Sequence, residues 1–233
     1  MPQNLALLKL ILTQSIDTSA ERCAMFFKNQ PGQYGEHDQF MGIKVPTLRL
    51  IARQFSTLSL PEIQELLQSK FNEERLLAVF VLVNQYQKGE QTSKETIFNF
   101  YLQNLSQVNN WNLVDSSAHL IIGAHLFNQN RDLLIQLAQS NNLWERRIAI
   151  VSTWYFIRKQ DLDWTFKIAL LLLTDQHDLI HKATGWMLRE AGKRDLTQLI
   201  NFLNLYSTQM PRTALRYAIE RFPTSERLPY LKR

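Results

Sequence analysis

The stretch Val108-Asn109-Asn110-Trp111-Asn112-Leu113-Val114-Asp115 sets how the rest of the chain is read. Asn110 carries a side chain suited to a helix N-cap. After it, Leu113, Ser117, Leu120, Ile121 and Ala124 recur at the spacing of one buried helical stripe. Trp111 and Asp115 are four residues apart, so on a helix they lie one above the other on a neighbouring face. Two readings follow. The Trp fills a helix–helix seam while the Asp complements the N-terminal dipole, or an aromatic and a carboxylate are displayed together as a site.

Outward from that stretch the pattern stays helical. The spacing predicts helices over Leu5–Gln14 and Ser19–Asn29, a polar loop over Gln30–Lys44, then helices over Val45–Gln54, Pro61–Ser69, Glu73–Gln87 and Ser93–Leu105. Further helices are expected over Trp111–Phe127, Arg131–Gln139, Leu143–Lys159, Asp161–Leu173, Asp178–Ala191, Leu196–Tyr206 and Pro211–Arg221. No segment alternates as a strand beside a hairpin turn. Short connections between such helices imply antiparallel pairs. The expected architecture is all-α, a curved solenoid of HEAT-like pairs forming one domain over residues 1–233. Its concave face would be a basic groove suited to an extended partner. A compact helical bundle is the alternative.

Composition narrows the classes. Hydrophobic residues are 45% and charged residues 20%, as in soluble globular domains, and only 7 Gly and 7 Pro argue against a turn-rich β protein. The single cysteine, Cys23, excludes an internal disulfide framework and a Cys-rich zinc site. The longest apolar run, Ile168 to Leu173, is too short to span a bilayer, and the N-terminus lacks signal-peptide character. A reducing cytoplasmic compartment is expected. The net charge of +5, with positive residues gathered from Arg189 onward, suits a polyanionic partner without requiring one.

Four segments carry candidate chemistry. Lys182, Trp186, Arg189 and Lys193 fall at offsets of 0, 4, 7 and 11, one stripe of a helix, opposite an apolar stripe through Ile180, Thr184, Met187, Leu188 and Ala191. Cations around a Trp form either a solvated face or a polyanion-binding face. Gly185, beside Trp186, permits close approach of a backbone or a ligand. In Trp144-Glu145-Arg146-Arg147 the two arginines point about 100° apart, so one faces a groove at most and the other pairs with a carboxylate. Arg212 and Arg216, and Lys44 and Arg49 around the turn Gly42-Ile43-Lys44-Val45-Pro46, are further phosphate-contact candidates.

Other chemistries lack their residues. His177 and His181 are spaced to share a face, but nothing completes a metal site. No phosphate-binding Gly-rich loop, dinucleotide fingerprint or nucleophile elbow is present. An enzyme built from these parts uses carboxylate, guanidinium and aromatic groups, with no cofactor and no metal.

Trp111-Asn112-Leu113-Val114-Asp115, Trp144-Glu145-Arg146-Arg147 and Gly185-Trp186-Met187-Leu188-Arg189-Glu190, in this order, resemble the AlkD family of bacterial DNA alkylation repair glycosylases. Gly42-Ile43-Lys44-Val45-Pro46 with Leu48-Arg49 is similar to that family's early turn-and-helix signature. The resemblance implies a HEAT-like solenoid around duplex DNA and hydrolysis of the N-glycosidic bond of cationic alkylpurines, without base flipping. It implies Asp115 as the catalytic carboxylate, Trp111 and Trp186 as cleft aromatics, and Arg147 as the cleft arginine. It puts an N-terminal aromatic on Phe26, with Phe27 adjacent. A monomer acting on alkylated duplex DNA is expected. The competing reading is a non-catalytic HEAT-like module binding duplex or branched DNA, and a third is a protein-binding scaffold.

Overall fold

The computed structural model describes residues 2–232, and every regular element among them is helical. The one β feature among them is an isolated parallel bridge between Gln39 and Phe71. The chain forms two compact units, divided between Ser117 and Ala118. No Gly-, Pro- or Ser-rich linker marks that division in the sequence.

The first unit holds α1 (Pro2–Gln14), α2 (Ala20–Phe26), α3 (Val45–Gln54), α4 (Leu60–Leu67), α5 (Asn72–Lys88), α6 (Gln91–Gln103) and α7 (Trp111–Ser117). Its centre is α5, buried without interruption from Asn72 to Val83. A helix buried all round must be surrounded, and α3, α4, α6 and α7 all pack against it. Local signals set the boundaries. α4 begins at a capping box in which the Glu62 carboxylate accepts the Ser59 backbone N–H at 2.8 Å and the Ser59 hydroxyl at 2.7 Å. Those bonds hold the Glu62 carboxyl below its ordinary range.

The second unit repeats the plan with α8 (Ala124–Leu126), α9 (Asp132–Ala138), α10 (Leu143–Arg158), α11 (Asp163–Leu171), α12 (Asp178–Gly192), α13 (Leu196–Tyr206), α14 (Arg212–Ala218) and α15 (Thr224–Leu231). Here α10 is central, with α9, α11, α12 and a π-helical turn over His119–Gly123 against it. The Asn142 side chain caps α10 by accepting the Trp144 N–H at 2.8 Å.

The structure corrects the sequence reading in two places. A single helix over Trp111–Phe127 was expected, but residues 119–123 form a π turn, in which the Gly123 N–H reaches the Ala118 carbonyl at 2.9 Å. The Ser152 hydroxyl of α10 approaches that same carbonyl at 3.3 Å, and a Cβ on Gly123 would lie 2.2 Å from the Ser152 carbonyl oxygen. The extra residue per turn shifts the side-chain register. Ile121 and Ile122 are consequently buried, while Leu120 and Ala124, expected in the core stripe, are only half-buried. The second correction is α15, for which no helix was expected.

Candidate active site

In the first unit the α7 start is built on buried polar contacts. The Asn110 carbonyl accepts the Leu113 and Val114 N–H groups, and its side-chain Oδ1 accepts the Trp111 N–H at 2.7 Å. Asn110 is therefore the N-cap, as its sequence position predicts. Its amide Nδ2 donates to Asp38 Oδ2 at 2.6 Å. The same carboxylate takes Asn72 Nδ2 at 2.8 Å and forms a salt bridge with Arg75, whose second amino group donates to the Ser69 carbonyl. Asn112 Nδ2 donates to Asn72 Oδ1 at 2.6 Å. Asp38, Asn72, Arg75, Asn110 and Asn112 are all buried, so this network locks the first turns of α5 and α7 together.

That lock holds Trp111 and Asp115 on one face of α7, both half-buried. Trp111 stacks on Phe27, with ring centroids 4.9 Å apart and an interplanar angle of 17°. Phe26 meets Trp111 edge-on at 5.6 Å, and Phe27 in turn stacks on Phe40 at 5.0 Å. Phe26 is 66% exposed, whereas Phe27 is sandwiched. The two phenylalanines thus divide the work: Phe27 supports Trp111 and Phe26 is presented to solvent.

The turn before α3 rests on a carboxylate that sequence reasoning missed. Buried Glu73 accepts the N–H groups of Met41 at 3.0 Å, Gly42 at 2.8 Å and Ile43 at 3.4 Å. Lys44 follows as the exposed N-cap of α3 and pairs with Asp17 at 3.2 Å. Arg49 lies 4.2 Å over the Phe80 ring, and burial lowers its pKa. Asp38 and Glu73 had no local signal. The only hint was a polar run, Asn72-Glu73-Glu74-Arg75, opening a helix that is otherwise strongly apolar.

In the second unit the two arginines of α10 separate as their 100° offset requires. Arg146 Nε bonds Asp175 at 2.6 Å, and its Nη1 takes the carbonyls of Ser140 and Asn141. Arg146 is thus the arginine that pairs with a carboxylate, and its partner is Asp175. Arg147 is only 5% exposed and donates from Nη1 to the Leu179 carbonyl at 2.6 Å, tying α10 to the first turn of α12.

On α12 the expected stripe is present, with its cations matched by carboxylates. Lys182 pairs with Asp178 at 2.7 Å, and Lys193 with Glu190 at 2.6 Å. Arg189 contacts Glu190 and forms a salt bridge with Glu220 of the following segment. Gly185 admits a backbone and not a ligand: a Cβ there would lie 2.3 Å from the Ala214 carbonyl oxygen. Trp186 is half-buried and meets Trp154 of α10 edge-on at 5.0 Å. Trp154 lies 4.5 Å from the His119 ring. His119 is buried, which pushes its pKa down to about 4, with the Arg158 charge adding to the effect. Arg212 donates to the Leu231 carbonyl at 2.7 Å, while Arg216 is exposed. Among the described residues no His, Cys, Asp and Glu side chains group as a metal site requires, and no helix is long and apolar enough to cross a membrane.

Helices packed around one buried central helix in each unit define an all-α protein of paired helices. The model of the DNA alkylation repair enzyme family matches residues 10–222, and the chain belongs to that family. No curated protein matches it. A solved structure described as a predicted DNA alkylation repair enzyme from Enterococcus faecalis is similar, with a TM-score of 0.69 at 18% identity over 90% of this chain and 98% of that one. At that identity the likeness shows a shared fold.

Proposed function

We propose that this protein is a DNA glycosylase of the AlkD type, hydrolysing the N-glycosidic bond of cationic 7-alkylguanine and 3-alkyladenine in duplex DNA. The observation that carries the reading is the pairing of Trp111 and Asp115 on one partly open face of α7, braced from behind by Phe27 and the Asp38 network. Family membership supplies the setting, alkylation damage in DNA.

The chemistry suits those side chains. An alkylated purine is positively charged and leaves readily. The glycosidic electron pair passes to the purine, which becomes neutral, and positive charge builds on the sugar as an oxocarbenium ion. A carboxylate beside C1′ stabilises that charge and orients the water that adds there, accepting its proton. Asp115 is assigned this role. Trp111 and Trp186 present aromatic faces to the cationic nucleotide, an attraction of about 0.5–2 kcal/mol each. Protonation of the leaving group is unnecessary, so a single carboxylate suffices, and no metal or cofactor enters. Phe26 contacts the nucleotide by its exposed ring.

DNA contacts are assigned to Lys44, Arg147, Lys182, Arg189, Lys193, Arg212 and Arg216. Both compact units act as one domain on one duplex, in a monomer, in the bacterial cytoplasm. The lesion is held through its backbone, without base flipping, so bulky cationic adducts are cleaved and neutral lesions such as uracil are not.

The test is base release from duplex DNA containing 7-methylguanine, with wild type beside Asp115→Asn. Release by wild type, lost in the variant with DNA binding retained, supports the assignment. Tight, salt-sensitive binding with no release by wild type moves the protein to the non-catalytic DNA-binding class. Equal release by both removes Asp115 from the mechanism.

A further inference from the structure

On α10, Trp154 and Arg158 are four residues apart and therefore share one face of the helix. Trp154 is half-buried, set between the buried His119 ring and the edge of Trp186. Arg158 is exposed, at the outer end of the same face, and forms no ion pair among the described residues. This contrasts with α12, where Lys182, Arg189 and Lys193 each face a carboxylate. His119 supplies no cation here near neutral pH, because burial keeps its ring neutral. The next residue, Lys159, lies about 100° further round the helix, with its ammonium 5.7 Å over the Tyr155 ring.

We infer that Arg158 is a phosphate-contact residue, and that Trp154 is the aromatic surface beside it, so that Trp154, Trp186 and Arg158 form one nucleotide-binding ledge on the second unit. The inference rests on the reading of this protein as a DNA-binding repair enzyme. A guanidinium at the rim of an aromatic pair is the arrangement that takes a phosphate by charge while sugar or base packs on the rings. A more ordinary role for Arg158 is as a C-terminal charge complementing the α10 dipole. The two roles differ in what DNA binding reads. A phosphate contact contributes one released counterion, and a helix-end charge contributes none.

The experiment measures duplex DNA affinity of the full-length chain against salt for wild type, Arg158→Ala, Arg158→Lys and Lys159→Ala. One phosphate contact contributes about 0.9 to the slope of log K against log salt concentration. The expected result is a slope reduced by about 0.9 in Arg158→Ala, preserved in Arg158→Lys and preserved in Lys159→Ala. Trp154→Ala is expected to weaken binding at every salt concentration with the slope intact. An Arg158→Ala slope equal to wild type overturns the inference, as does an equal loss in Lys159→Ala, which would mark a generic effect of net charge. If wild type itself shows no salt-dependent duplex binding, the DNA reading fails first and the ledge falls with it.

Discussion

The Asp38 carboxylate accepts the side-chain N–H of Asn110 at 2.6 Å, and this bond decides which way the Asn110 amide faces. With its NH₂ committed to Asp38, the Asn110 oxygen must point to the Trp111 N–H, where it caps α7. A residue 72 positions upstream thereby sets the helix start that presents Trp111 and Asp115. Asp38 is also the salt-bridge partner of buried Arg75. Asp38→Ala strands that guanidinium, and breaking a buried pair from one side costs about 3–5 kcal/mol. Asn110→Ala loses a cap and an interior hydrogen bond, with an expected loss of about 1–3 kcal/mol. Urea unfolding monitored by tryptophan fluorescence measures both, and the larger loss belongs to Asp38→Ala.

Gly123 and Gly185 are the two helical positions where a neighbouring backbone comes closest in the second unit. A Cβ would meet the Ser152 carbonyl at 2.2 Å in the first case and the Ala214 carbonyl at 2.3 Å in the second. Alanine is ordinarily favoured over glycine within a helix by about 1 kcal/mol. Here the obstruction is backbone and has no rotamer to change, so overpacking outweighs that gain. Gly123→Ala and Gly185→Ala are each expected to lower stability by about 1–3 kcal/mol in denaturant titration.

Two histidines set an acid limit. Burial lowers the pKa of His119 to about 4, and burial with the Arg146 charge lowers that of His177, whose Nδ1 accepts the Leu179 N–H as the N-cap of α12. Both rings are favoured neutral in the folded chain. The unfolded chain therefore binds more protons between the folded pKa and the ordinary value near 6.5, and stability rises with pH across that window. It is fully present above about pH 6.5 and is lost as pH falls toward 4. For His119 the full loss is about 3 kcal/mol. Melting curves from pH 4 to 8 should show the decline, and His119→Phe should flatten much of it.

What the sequence disclosed depended on how local the cause was. Val45–Gln54 and Leu196–Tyr206 have the boundaries their amphipathic spacing predicts. The π turn at residues 119–123 packs against Ser152, some thirty residues away, and no local pattern announces it. The helix Thr224–Leu231 buries none of its residues and contains Pro229, which leaves no apolar stripe to read. The Asn110 cap, and the half-buried places of Trp111 and Asp115 on α7 and of Trp186 on α12, were legible because helix spacing alone sets them. Asp38, Glu73 and Trp154 were not, because their importance lies in partners brought close only by packing. The charge of the α12 stripe was legible too, but the pairing of its cations with Asp178, Glu190 and Glu220 was not.

That pairing yields the last prediction. Glu190 holds Lys193 through both carboxylate oxygens, at 2.6 and 2.8 Å, and also touches Arg189. Exposed pairs of this kind stabilise by only about 0.2–1 kcal/mol, so Glu190→Gln should leave folding nearly unchanged. If α12 faces DNA, removing this acid frees the Lys193 ammonium for a phosphate and removes a repelling charge. Binding of duplex DNA should then tighten several-fold at low salt, with a steeper salt dependence. Lys193→Ala should weaken binding, and the double variant should match Lys193→Ala more nearly than Glu190→Gln. Equal affinity in wild type and both single variants would place the α12 stripe away from the DNA, leaving its cations as a solvated, ion-paired surface.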